Sequence, residues 1–530
     1  MSTPARTTPH RIVATYDLHP TDTAADTLAA AIALEQSVEV PQSLVDAVGL
    51  PPGVVGEVEE VDVGAGAGGA ARARLSYDPS VVEAGGVPAL LNLVFGNVSM
   101  MPGVRLVDLS FPEHVLAGFD GPRHGVAGVR ALVGVHGRPL LATALKPRGV
   151  SVDRLAEMAG AFARGGGDIV KDDQNLIDGF ETFKDRVRRC ADAVDDANQR
   201  TGRRCLYLPH VTGPLPALER RFEYVARLGL PGVLAAPFIA GFGINRSLAR
   251  DHDLVLMAHP TFAGGHFISR REGIDHGLVF GTLLRIAGAD ISIFPNAGGR
   301  FELAREDCAD IADRLGAPLG PMRPAWPCPA GGMSLAHLPR MCADYGHDAV
   351  LLIGGALIGH GEDLESSTRT FLDVIRAESN ERLEPPQPQR EPALDAEAPR
   401  VLKHRPEFEW TDRPSSAYKD ARNLADALAF KGVRRVELVG RFGERSSTDL
   451  RYFEIEPGGY SSLEKHVHTH IVIGARGHGV LVLGGRRETL GPMDVACIGP
   501  LEAHQLRNES SEPFGFFCVV DHDRDRPSAP

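Results

Sequence analysis

The chain has 530 residues, 43% of them hydrophobic and 24% charged, with a formal net charge of −13. That length is too great for one ordinary core and predicts two or three domains. The acidic balance, without a long Lys/Arg run, excludes nucleic acid as the main partner; phosphorylated small molecules stay compatible, because backbone N–H groups can bind them.

Seven scattered cysteines with no CxxC pair argue against a disulfide framework and against a cysteine zinc site. The first ten residues are polar, and no stretch reaches transmembrane length. The expectation is a cytoplasmic protein with no membrane partner.

Residues 1–128 read as an α+β domain of ferredoxin-like type, with strands at 12–18 and 71–77 and helices at 23–34 and 87–95. From 129 to 378 the pattern becomes regular. Eight short apolar runs, at 139–145, 168–170, 205–208, 232–236, 254–258, 290–294, 326–329 and 349–353, alternate with amphipathic stretches. Residues 151–163 are an example of these stretches, with Ser151 as N-cap and Leu155, Met158, Ala159 and Phe162 on one face. Eight strand–helix units in about 250 residues predict a (β/α)8 TIM barrel, whose chemistry sits at the C-terminal strand ends. Residues 379–422, rich in Pro, Glu, Arg and Asp, read as a linker. Glycine-punctuated apolar runs from 423 to 530 predict an all-β barrel or sandwich.

The second barrel strand runs into Lys171-Asp172-Asp173-Gln174. Alternation puts Lys171 and Asp173 on one face. A charged lysine is too costly to bury unless it is paired or chemically altered. Capping its amine with CO2 would convert it into an anionic ligand. Lys171, Asp173 and Gln174 could then hold Mg2+. The competing reading is a structural Lys–Asp ion pair. Other polar strand ends are Lys146-Pro147-Arg148, Pro209-His210, His259 and Pro295-Asn296. Gly331-Gly332 and Gly354-Gly355 follow strands 7 and 8, where such barrels bind phosphate through backbone N–H groups.

The motifs Phe95-Gly96-Asn97-Val98, Leu145-Lys146-Pro147-Arg148, Gly166 through Asp173, Ala330-Gly331-Gly332 and Gly354-Gly355 occur in one order over residues 10–378. In that order they resemble the large chain of ribulose-bisphosphate carboxylase (RuBisCO). The resemblance implies that Lys171 is carbamylated by CO2, that Asp173 binds Mg2+ and that Lys146 is the enolisation base. It further implies that Arg300 lies on a loop closing over substrate, that His259 lies at the site, and that Arg148 and the glycine pairs bind substrate or phosphate. Asn97 would come from a neighbouring subunit, so a homodimer or higher oligomer is expected.

Departures from the family pattern matter equally. Gln174 replaces the third ligand, a glutamate, with Asp178 as a candidate to restore the charge. Pro260 stands where a phosphate-gripping arginine would follow His259, and Ile291-Ser292-Ile293-Phe294 lacks the strand 6 histidine. The resemblance therefore narrows to the RuBisCO-like, non-carboxylating relatives, which use the enolisation half of the mechanism on a monophosphate. Some of these enolise or isomerise methylthio-pentose phosphates. Others decarboxylate or hydrolyse oxo-acid sugar phosphates.

Gly458 through His470, together with His504, resembles the metal-binding motifs of cupins. Two histidines one residue apart share a strand face and can bind one metal. Aligned on Gly458 and Gly477, the ligands are Glu464, His466, His470 and His504, with His468 as the alternative in another register. Mn2+, Fe2+, Ni2+ or Zn2+ would suit such a site. The fusion predicts consecutive steps on one phosphorylated sugar, with the cupin implied to release a thiol. The rivals are a sugar-acid decarboxylase or hydrolase, and a non-catalytic barrel carrying a sugar-binding cupin.

Overall fold

The computed structural model describes residues 10–20, 23–301, 303–361, 363–379, 402–411, 413, 415–417, 429–439, 448–466, 469–499 and 501–521. The chain forms two units, residues 1–383 and 384–530.

The first unit opens with β1 (Ile12–Leu18), β2 (Glu57–Asp62), β3 (Ala71–Tyr77) and β4 (Val104–Ser110). They form an antiparallel sheet in the order β4-β1-β3-β2. With helices Ala25–Ser37 and Ser80–Phe95, this is the βαββαβ arrangement expected from the sequence. Period-2 alternation sends Ile12, Ala14, Tyr16 and Leu18 into the core against those helices. The other face carries Asp17, which pairs with Arg72 at 2.9 Å.

The eight barrel strands are β5 (Leu140–Leu145), β6 (Ile169–Asp172), β7 (Leu206–Leu208), β8 (Gly232–Ala235), β9 (Val255–Ala258), β11 (Ile291–Pro295), β12 (Trp326–Ala330) and β13 (Val350–Leu352). Each overlaps one of the eight apolar runs. The intervening β10 (Gly273–Ile274) instead extends the N-terminal sheet along β4. The barrel strands form two parallel arcs, β13-β5-β6-β7 and β8-β9-β11-β12. A parallel bridge from His210 to Leu234 joins β7 to β8. Ser151 caps helix Val152–Arg164, as expected, by accepting from the Arg154 N–H.

Two buried carboxylates knit the N-terminal strand ends together. Asp168 accepts from Arg138 at 2.6 and 2.9 Å and from the Leu141 N–H at 2.7 Å. Asp290 accepts from the backbone of His124, Gly125 and Leu256 at 2.6–2.9 Å. Asp168→Ala would take from buried Arg138 the carboxylate that it holds at 2.6 and 2.9 Å. It should lower the stability of this unit by about 3–5 kcal/mol, read as a fall in the urea midpoint of the full chain. An unchanged midpoint would show that the pair contributes nothing.

The second unit is all-β and antiparallel. Its strands are β14 (His404–Arg405), β15 (Glu409–Trp410), β16 (Ser415–Ala417), β17 (Lys431–Val439), β18 (Thr448–Tyr460), β19 (His470–Arg476), β20 (Gly479–Leu483), β21 (Arg486–Leu490), β22 (Val495–Ile498), β23 (His504–Arg507) and β24 (Phe514–Asp521). Phe453, Ile455, Val472, Leu481, Phe514 and Phe516 share one core. A smaller core around Tyr452 takes in Leu402, Phe408 and Trp410, with Phe408 stacked on Tyr452 at 5.2 Å. This corrects the linker reading of residues 379–422 over residues 402–411, which are built into this unit because their few aromatics find apolar partners on β18.

Candidate active site

The barrel's inner layers include Ala142, Ile169, Leu208, Met257, Cys328 and Leu352. The two-residue period carried on to the C-terminal strand ends brings Lys146, Lys171 with Asp173, His210, His259, Ala330 and Gly354 to one end. Parallel register sets Ala144 beside Lys171 and Lys171 beside Leu208. The small residues at Ala144, Ala330 and Gly354 help open a cavity of about 970 Å³, which Lys146, Lys171, Gln174, His259, Arg300 and both glycine pairs also line.

Lys171 is 2% exposed, and its Nζ donates to the Asp172 carbonyl at 3.0 Å. Burial pulls its pKa down to about 8, Lys146 adds to the fall and Asp173 opposes it. An amine so placed is neutral, and open to CO2, at only slightly alkaline pH. Asp173 lies 3.0 Å from Lys146 Nζ and accepts the Asn175 N–H at 3.0 Å. Burial alone would raise the Asp173 carboxyl, but that N–H and the Lys146 ammonium outweigh it and hold it below the usual range. Asp172, between Lys171 and Asp173, faces the other way. It accepts from Arg186, from Tyr207 Oη at 2.9 Å and from the His210 N–H at 2.9 Å. This outward clamp fixes the inward aim of its neighbours.

Lys171, Asp173 and Gln174 offer hard oxygen donors once the amine carries CO2, so the set fits a Mg2+-like ion with one negative charge fewer than a third carboxylate would supply. Asp178 does not restore that charge. Its carboxylate is taken by Arg186 at 3.1 Å, which corrects the expectation placed on it. His259 Nδ1 accepts the Thr261 N–H at 3.1 Å. Burial, then the Lys171 charge, hold its imidazole well below the ordinary range, so it is neutral.

Gly331 and Gly332 both have φ of +96°, a region that disfavours side chains. A Cβ on Gly332 would lie 3.0 Å from the Arg300 backbone nitrogen, which itself donates to the Gly331 carbonyl at 2.7 Å. Glycine thus lets the loop after β11 lie directly on this backbone. A Cβ at Gly355 would meet nothing within 4 Å, leaving the second pair's backbone open to an anion. Arg148 is exposed, and Asn97 donates to Glu35 at 2.9 Å; neither lines the cavity of its own chain.

Sequence reasoning missed the apolar wall of this cavity, built by Phe262, Phe267, Ile268, Phe301 and Met333. Phe262 and Ile268 are 74% and 73% exposed. Their only signal was three large apolar residues within a polar, glycine-rich loop.

In the second unit, ligand atoms of His466, His470 and His504 lie within 4.8 Å of one another. His466 Nε2 and His504 Nε2 are 3.3 Å apart, about what two nitrogens at ~2.0–2.1 Å on one tetrahedral ion would show. His504 Nδ1 lies 2.9 Å from the Glu502 carbonyl, which suits Nδ1–H as donor and leaves Nε2 for a metal. Glu464 pairs with His504 through both backbone groups, but its carboxylate accepts the Ser462 hydroxyl at 2.6 Å and is not one of the three grouped side chains. His468 lies outside the described residues.

Residues 5–115 and 125–370 match the N-terminal and catalytic domains of the ribulose bisphosphate carboxylase large chain. Over 368 residues the chain is 39% identical to a 5-methylthioribulose-1-phosphate isomerase from Rhodospirillum rubrum, which spans 69% of this chain and 96% of that one. The chain belongs to the RuBisCO large-chain family.

A second RuBisCO-like relative, a 2,3-diketo-5-methylthiopentyl-1-phosphate enolase from Geobacillus kaustophilus, is 35% identical over 57% of this chain and 74% of its own. The crystal structure of a RuBisCO-like protein from Rhodopseudomonas palustris superposes with a TM-score of 0.62, at 35% identity, over 70% of this chain and 98% of that one. Residues 451–520 match the cupin domain, so this RuBisCO-like enzyme carries a cupin at its C-terminal side. Among the described residues, no helix is long and apolar enough to cross a membrane.

Proposed function

We propose that the barrel is a non-carboxylating enolase or isomerase of a phosphorylated ketose resembling methylthioribulose phosphate. The observation that carries this reading is Lys146 Nζ, 3.0 Å from Asp173 and beside buried Lys171, at one end of a cavity whose other surfaces are a glycine cradle and an apolar wall. A phosphate fits the N–H groups around Gly331-Gly332 and Gly354-Gly355, with Arg300 near it. The apolar wall suits an uncharged substituent. Lys146 removes the proton next to the substrate carbonyl and returns it to the neighbouring carbon, which is an isomerisation.

Lys171 as carbamate, Asp173 and Gln174 would hold Mg2+. When bound, the ion polarises the carbonyl or enediolate oxygen. Among the described residues, Pro260 and Ile293 put no cation at the second phosphate end, which favours a monophosphate. Asn97 points to a homodimer, since it lies outside its own chain's cavity and would serve a partner's.

The cupin is read as the following step on the same metabolite, at a divalent metal held by His466, His470 and His504. His470→Ala should strip that metal from the full chain while His468→Ala keeps it, as read by elemental analysis. The reverse result would move the ligand register to His468.

Incubation with methylthioribulose 1-phosphate, Mg2+ and bicarbonate should yield a new sugar monophosphate by phosphorus NMR. Turnover only of oxo-acid sugar phosphates, with CO2 release, would instead support a decarboxylase.

A further inference from the structure

At the inner end of β7, beside the lysine of the candidate centre, His210 has a place in neither the cavity lining nor any metal cluster. It is 2% exposed, and both ring nitrogens are buried without a hydrogen-bond partner among the described residues. A buried imidazole left that way is costly, so the group it serves must arrive later. Its position says where. Lys171 pairs in register with Leu208, and His210 follows two residues on, on the same inward face. The two side chains are close enough to act on each other's charge.

Behind it stand Arg186, with a buried unpartnered Nη2, and Arg221, with buried unpartnered Nε and Nη1. Both act electrostatically on the ring. An uncharged imidazole carries one N–H and one acceptor nitrogen. The donor surplus lies on the arginine side, which is where the acceptor nitrogen belongs. Set with its acceptor nitrogen toward the arginines, the ring turns its N–H to Lys171. As an amine, Lys171 is a donor and needs nothing from it. Reaction with CO2 (amine plus CO2 giving carbamate plus a proton) puts two acceptor oxygens on Nζ.

Resting on the carbamate reading above, we propose that His210 is a positioning residue for the Lys171 carbamate, donating its ring N–H to a carbamate oxygen. This supplies part of the hold that a neutral Gln174 gives up, because a donor to a charged acceptor is worth more than one to a neutral group.

The test uses 13C-bicarbonate and NMR of the full chain, following the carbamate resonance as CO2 is raised with Mg2+ present. His210→Phe keeps the ring volume and removes both nitrogens; His210→Gln keeps a donor. The CO2 needed for half-occupancy should rise about tenfold or more in His210→Phe and return most of the way in His210→Gln. Equal CO2 dependence in wild type and His210→Phe would overturn the proposal while leaving the carbamate intact. Equal weakening in both variants would mark a packing effect and overturn it as well. A wild-type chain with no carbamate resonance would overturn the underlying reading too.

Discussion

Lys146→Met is expected to lower enolisation by about 10²–10⁴-fold while the chain keeps its full complement of metal. Methionine matches the length of the lysine stem and removes only the amino group. Lys146 is one-third exposed toward the cavity, with its Nζ 3.0 Å from Asp173, so no core contact is lost. What disappears is the group that moves a proton. Steady-state kinetics on the ketose monophosphate, beside elemental analysis of the same preparation, would check this. Retained turnover would remove Lys146 from the role of base; lost turnover accompanied by lost metal would make it a structural partner of Asp173.

Lys171→Met should abolish activity and all dependence on added bicarbonate, for a different reason. It deletes the nucleophile that takes CO2 and with it a metal ligand. In the wild type the amine must be neutral to react. With a pKa of about 8, CO2 loading should fall roughly tenfold per unit as pH drops below 7. The substitution should move stability in the opposite sense to activity. The buried amine's pKa lies below its unfolded value, so folding is penalised by about 3 kcal/mol at pH 7. The unfolded chain binds more protons between about pH 8 and the unfolded lysine pKa, so the penalty is present in full below that window and relieved as pH rises through it. Lys171→Met should therefore melt higher than the CO2-free wild type at pH 7, and the gap should close toward pH 10. A variant less stable than wild type at pH 7 would mean that Lys171 is held by a structural ion pair.

The eight strands and their polar ends were legible because a barrel strand is a short apolar run that stops at chemistry. Alternation alone placed Lys171 and Asp173 together. Three things were not legible. Asp178 looked free to serve the metal, but Arg186, eight residues on along a helix, takes its carboxylate. The aromatics of residues 402–411 sit in a polar, proline-rich stretch, and only the apolar face of β18 gives them a partner. The exposed wall of Phe262, Ile268 and Phe301 has no periodicity, since loops position side chains by tertiary contact. In the second unit, the histidine spacing was sufficient to bring His466, His470 and His504 together.

Transfer of a carbon-bound proton on a ketose monophosphate, without CO2 fixation, is the reaction expected of this barrel. It is tested most directly in deuterated water, with the full chain, methylthioribulose 1-phosphate, Mg2+ and bicarbonate. Deuterium is expected on the carbon next to the carbonyl in recovered substrate or product, with no label from 13C-bicarbonate in the product and neither exchange nor product with Lys146→Met. Absence of exchange across a panel of ketose monophosphates, or 13C in the product, would contradict it.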